Sequence, residues 1–186
     1  MDKMREEHMI IMISGGSHTG KTVLAQKLLI KYHMPYLSID HLKMGLIRSG
    51  QTSSTPLDPD EKLTVYLWPI VREIIKTAIE NEQHLIVEGI YIPFDWAKDF
   101  EERYLAQIRH VCLVMTEEYI REHVQDICQH ANDVEHRLED KVDVEEMIRE
   151  NQENLRRCME CGCEYILIQD RYDVVENMAF CDRDLS

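Results

Sequence analysis

The chain has 186 residues and a formal net charge of −14, from 21 Lys and Arg against 35 Asp and Glu. A duplex-binding protein needs a basic face to displace counterions from phosphates, so this balance argues against nucleic acid and anionic membrane as partners. With 44% hydrophobic residues the chain can bury a real core, and its length suits a single domain over residues 1–186. The opening MDKMREEHM is charged and lacks the apolar centre of a secretory signal. The six cysteines form no spaced disulfide framework, so a reducing cytoplasm is the expected compartment.

Met9–Ile13 is short, apolar and continuous, as a buried strand is. Lys21–Tyr32 follows with Val23, Leu24, Leu28 and Leu29 on one helical face. Pro35 ends that helix, and Tyr36–Ile39 reads as a second strand. Asp40 is expected to cap a short helix carrying Leu42, Met44 and Leu46. The run RSGQTSSTPLDPD, residues 48–60, marks a loop. A long helix is expected over Asp60–Asn81, bent at Pro69. His84–Val87 is a third strand closed by Glu88 and Gly89, and Phe94–Leu105 reads as helical. Ile108–Met115 is a fourth strand, and Glu117–Gln129 a helix followed by a polar segment rich in His, Asn and Asp. Asp143–Glu160 is a long helix stopped by Gly162, Tyr165–Ile168 a fifth strand, and the tail holds one more short helix.

Strands alternating with helices imply a parallel sheet covered on both faces. Ligands of such sheets bind beyond the carboxyl ends of the strands. Residues 15–22, Asp40, Glu88 and Thr116 all fall at predicted strand ends and could converge on one cleft.

The first of these ends carries the strongest signal. Gly15-Gly16-Ser17-His18-Thr19-Gly20-Lys21-Thr22 matches G-x-x-x-x-G-K-[ST], with a strand before it and a helix after it. The glycines let the loop fold back so that successive N–H groups face phosphate oxygens, and the helix adds its positive end. Lys21 would pair with the β- and γ-phosphates of a nucleoside triphosphate, and the Thr22 hydroxyl would ligate Mg²⁺. His18 stands at a variable position, where it touches phosphate or faces solvent.

With this loop and the order of its elements, the chain resembles the small P-loop kinases of the nucleoside-monophosphate-kinase-like group. That group includes adenylate kinase and relatives acting on shikimate, gluconate and 2-phosphoglycerate. The resemblance covers most of the chain in order and spacing and is strongest at the phosphate loop. It implies an α/β P-loop fold with a parallel five-stranded sheet flanked by helices. It also implies an acceptor-binding helical segment at about 40–82 and a short lid at about 124–145. ATP and Mg²⁺ are the implied cofactors, and a small molecule the implied partner.

Further residues take roles from the same resemblance. In SIDHLK, Asp40 stands where relatives that phosphorylate hydroxyls hold the hydroxyl and accept its proton; a plain helix cap is the other reading. In VEGIYIP, Glu88 stands at the Walker B-like turn, where it would hold a Mg²⁺-bound water or an acceptor hydroxyl; otherwise it is a strand-end acid facing solvent. Adenylate kinases carry an arginine in this turn that grips the acceptor phosphate, and this chain has none there. It also offers Lys43 where they carry an arginine, with Arg48 further along the helix. Lysine lacks the bidentate fork of arginine, so a hydroxyl acceptor is the better expectation.

Lid cations would come from Arg149, Arg121 or Arg137, with Arg149 preferred because MIRENQ resembles the helix returning from the lid in 2-phosphoglycerate-kinase-like proteins. His123 could instead fill the slot of the first family arginine. A solvated helix surface is the alternative for each of them. The resulting expectation is transfer of the ATP γ-phosphoryl group to a small hydroxyl acceptor. A nucleoside-monophosphate kinase and an ATP-binding regulator without transfer activity stay open beside it. Zinc is set aside. Cys158, Cys161 and Cys163 lack a second clustered pair, and Cys128 with His123, His130 and His136 departs from the spacing of zinc-bearing lids. Tyr66 and Trp68 line an acceptor pocket or fill the core.

Overall fold

The computed structural model describes residues 9–134, 143–172 and Val174. Five parallel strands form one sheet in the order β2-β3-β1-β4-β5. They are β1 (Ile10–Gly15), β2 (Tyr36–Ser38), β3 (Leu85–Glu88), β4 (Ile108–Met115) and β5 (Tyr165–Ile168). The helices are α1 (Lys21–Tyr32), α2 (Ile39–Arg48), α3 (Asp60–Glu80), the single turn α4 (Glu102–Leu105), α5 (Glu117–Val134) and α6 (Val144–Cys161).

The strands alternate side chains between two cores, as the pleat requires. From β1, Ile11 and Ile13 pack with Leu24 and Leu28 of α1 and with Ile120 and Ile148 of α5 and α6. Ile10 and Met12 point the other way, against Leu63, Leu67, Val71 and Ile75 of α3. A central strand buried on both faces is apolar where it meets both cores, and β1 is so from Ile10 to Ile13.

Several elements differ from the sequence reading. Ser38, in extended backbone, is the N-cap of α2, so Asp40 lies inside its first turn instead of capping it. The stretch 94–105 is not one helix: a 3₁₀ turn at Trp96–Asp99 precedes α4. The interruption has a tertiary cause, because Trp68 Nε1 on α3 donates to Asp99 Oδ2 at 2.8 Å and the Trp68 and Trp96 rings both pack edge-on against Phe100. Trp68 is therefore a core residue, with half-buried Tyr66 beside the same cluster. α5 runs on through Val134, with non-helical backbone at His123, whose ring stacks on Tyr119. The side chains of Cys128 and His130, all of His136 and Arg137, and the expected tail helix apart from Val174 lie outside the described residues. At the end of α6, Cys158 is a buried thiol, Cys161 an exposed one and Cys163 half-buried.

α6 is set by its N-cap and by one buried amide. The Asp143 carboxylate accepts the Glu146 N–H at 3.1 Å. Asn151 is 1% exposed; its Oδ1 accepts the Met115 N–H at 2.8 Å and its Nδ2 donates to the Met147 carbonyl at 2.9 Å. The first bond ties the middle of α6 to the carboxyl end of β4, the second holds the amide against its own helix, and together they set which residues α6 turns toward the phosphate loop. Replacing Asn151 by Ala orphans a buried backbone N–H. The Asn151→Ala variant is expected to lose about 2 kcal/mol of stability in urea unfolding.

Candidate functional site

β1 ends at Gly15, and the loop from Gly15 to Gly20 returns the chain into α1. Two glycines are required by geometry. Gly15 has φ 138°, and a Cβ there would stand 2.5 Å from the Leu113 carbonyl oxygen. Gly20, the N-cap of α1, has φ 80°, and a Cβ there would meet the Tyr172 hydroxyl at 2.2 Å. The loop is tied around the Gly16 carbonyl oxygen, which accepts from Thr19 Oγ1 at 2.8 Å and from Lys21 Nζ at 2.7 Å. Tyr172 closes the far side, donating its hydroxyl to the Gly20 carbonyl at 2.8 Å. His18 is held at φ 62°, and Thr22 is half-buried in the first turn of α1.

Beneath the loop, Ser14 Oγ and His110 Nε2 share a buried hydrogen bond of 2.8 Å. Burial drives the His110 pKa down to about 4, so the ring stays neutral where it supports the end of β1.

The other strand ends gather around this loop. Glu88 closes β3, 1% exposed, paired in register with Ile13 on one side and Ser38 on the other. Asp40, in the first turn of α2, binds Lys43 Nζ at 2.6 Å, and Lys43 also donates to the Tyr91 hydroxyl at 2.8 Å. Burial acts to lower the Lys43 pKa, but the bonds to Asp40 and Tyr91 outweigh it and raise it. Asp60, the first residue of α3, stands near enough to Lys43 and the Tyr91 hydroxyl for both to favour its charged form. Burial raises the Asp60 pKa, with the Lys43 charge opposing and the Asp40 charge adding to the shift.

Asp60 and Tyr91 were not singled out in the sequence. Nor was Glu150, which reaches from α6 into the phosphate loop. Its Oε2 accepts the Ser17 N–H at 3.0 Å. Burial raises its pKa, the Ser17 N–H and the Lys21 charge oppose that, and Asp60 adds to it. The charge of Asp60 thus bears on both Asp40, in α2, and Glu150, at the phosphate loop.

The arginines are placed differently. Arg121 is exposed and ion-paired, its Nε donating to Glu117 at 2.9 Å and its Nη1 to Glu145 at 2.8 Å. Arg149 is exposed on α6, near enough to Glu145 to favour that carboxylate's charge. Arg48 is exposed at the end of α2. The structure places Lys21, Thr22, Asp40, Lys43 and Glu88 at or just beyond the carboxyl ends of β1, β2 and β3, while Arg121, Arg149 and Arg48 stand in solvent. Among the described residues no group of three or more His, Cys, Asp or Glu could hold a metal ion. None of the described helices is long and apolar enough to cross a membrane.

No family model and no curated protein matches the chain. Solved structures do share its fold. A provisionally named kinase of Chloroflexus aurantiacus is 16% identical, with 97% of this chain and 100% of that chain covered at a TM-score of 0.58. The tunicamycin resistance protein of Deinococcus radiodurans is 16% identical, over 92% of this chain and 94% of that one, with a TM-score of 0.54. A chain of the PezAT toxin–antitoxin system of Streptococcus pneumoniae is 16% identical, over 96% of this chain and 76% of that one, with a TM-score of 0.51. The chain has the fold of the small P-loop kinases: a five-stranded parallel sheet flanked by helices.

The His110 shift has a consequence for stability. Its pKa is lower in the folded chain, so its contribution is present above about pH 6.5 and is lost as the pH falls toward about 4. Denaturant unfolding at pH 7 and pH 5 is expected to show a smaller stability loss in His110→Gln than in the natural chain.

Proposed function

We propose that this protein is an ATP-dependent phosphotransferase that moves the γ-phosphoryl group to a hydroxyl of a small molecule. One observation carries the reading. The phosphate loop and the Asp40–Lys43–Tyr91 cluster both follow the carboxyl ends of strands, with Asp60 near enough for its charge to bear on both. A cradle by itself specifies a triphosphate; an acid beside it supplies a place for an acceptor.

The residues present fit ATP and Mg²⁺. The loop binds an anionic oxygen through the Ser17 N–H, and Gly16 leaves room for it. Thr22 and Glu88 would hold the metal, directly or through water. Mg²⁺ would neutralise charge growing on the β- and γ-phosphate oxygens. Lys21 would leave the Gly16 carbonyl for those oxygens. Asp40 would orient the acceptor hydroxyl and take its proton as the oxygen bonds to phosphorus and the bond to the β–γ bridging oxygen breaks, releasing ADP. Lys43 and Tyr91 would keep Asp40 in place. Positioning and fixed charge supply most of such catalysis.

An acceptor phosphate fits this cluster less well. Lys43 is already tied to Asp40 and Tyr91, and Arg48 is exposed at the far end of α2. A nucleoside monophosphate would need a bidentate grip that neither provides. The kinase name borne by the Chloroflexus aurantiacus neighbour agrees with the reading.

Kinetics with γ-labelled ATP check the roles. Lys21→Ala is expected to lower transfer by about 10²–10³-fold. Asp40→Asn should lose transfer to a similar extent while its Kd for ATP stays within about twofold; near-full turnover in that variant contradicts the role of Asp40. Glu88→Gln should shift the Mg²⁺ titration to higher concentration.

A further inference from the structure

The phosphate loop holds an anion supplied by the chain itself. Glu150 lies 133 positions from Ser17, yet its Oε2 accepts the Ser17 N–H at 3.0 Å. A Cβ on Gly16 would stand 3.0 Å from the Glu150 carboxyl group, so the carboxylate rests on the glycine face of the loop. The Lys21 charge favours its ionised form. To such a loop a carboxylate and a phosphate offer the same thing, charged oxygens that accept N–H bonds. They cannot occupy the same N–H group together.

We propose that Glu150 competes with the phosphates of the nucleotide. Its carboxylate takes the Ser17 N–H and the field of Lys21, and it must withdraw before a triphosphate can settle in the loop. This rests on the reading of the loop as the ATP site. Its placement follows from the fold. The neighbouring Asn151 is bonded to the Met115 N–H and the Met147 carbonyl, which holds α6 in the rotation that aims Glu150 at the loop. The contact is also poised to yield. Glu150 is a half-buried acid: burial and the charges of Asp60 and of Glu146, one turn back, disfavour its charged form, while the Ser17 N–H and Lys21 favour it. A triphosphate brings more charge to the same donors and can displace it.

When part of the population has its loop closed, apparent affinity falls by the fraction left open. Removing a charge-assisted contact of this kind is expected to tighten nucleotide binding about tenfold. Calorimetry on the full chain, Glu150→Gln and Glu150→Ala tests this, with ATP and with inorganic tripolyphosphate at fixed Mg²⁺ and no acceptor present. Both variants are expected to bind both ligands about tenfold tighter than the natural chain. Equal or weaker binding by the folded variants overturns the proposal. A second readout needs no variant. The carboxyl ¹³C resonance of Glu150 in the natural chain should move when tripolyphosphate is added, and a resonance that stays in place at saturation overturns it. Tighter binding without transfer to any acceptor upholds this inference and removes the kinase reading. Transfer with unchanged binding does the reverse.

Discussion

The carbonyl oxygen of Gly16 is the point on which the site turns. It accepts from Thr19 and Lys21 at once, and that draws the loop into a closed curve from which the Ser17 N–H turns away to Glu150. Gly15 and Gly20 permit the curve, because side chains there would collide with Leu113 and Tyr172. The sheet beneath supports it. β1 is apolar on both faces, and the neutral His110 ring holds Ser14 at its end. A charged imidazole at that depth would have to shed its hydration, which is the reason its pKa is low.

Around this knot the chain concentrates few cations in a strongly acidic whole. With a net charge of −14, an anionic ligand is repelled unless local donors and charges hold it. Lys21 and the loop N–H groups are such a place. Lys43 is another cation beyond the carboxyl ends of the strands, but Asp40 and Tyr91 bind it and the Asp60 charge is near. The two halves of the cleft therefore differ in character: one is built for anionic oxygen, the other for groups that exchange hydrogen bonds with carboxylates and a phenol. Under the proposed function, that asymmetry would favour a hydroxyl over a second phosphate as the acceptor group.

Much of this was readable from sequence where the cause is local. β4 spans Ile108–Met115 as expected, its apolar run lying over Val111–Met115, and α3 begins at Asp60 after the Ser-, Thr- and Pro-rich loop. The phosphate loop is legible because eight consecutive residues carry its geometry. What escaped the reading depends on partners far along the chain. The 3₁₀ turn at Trp96–Asp99 reflects a bond from Trp68, 31 positions away. Tyr91 joins Lys43 across 48 positions, and Glu150 reaches Ser17 across 133. In the sequence Glu150 and Asp60 look like any solvated helix acid. The available signals were slight: Asp60 opens a helix after a loop, and Glu150 stands beside Arg149 in the stretch already resembling a lid-return helix.

The central claim is that this cleft passes a phosphoryl group from ATP to a small hydroxyl compound. The most direct measurement incubates the full chain with γ-¹⁸O-labelled ATP, Mg²⁺ and a fractionated metabolite extract, followed by mass identification of labelled products. The account predicts a labelled phosphate monoester on a hydroxyl of one small-molecule class, absent with Lys21→Ala. Label appearing only in inorganic phosphate or in a nucleoside diphosphate, or remaining wholly in ATP, would contradict it.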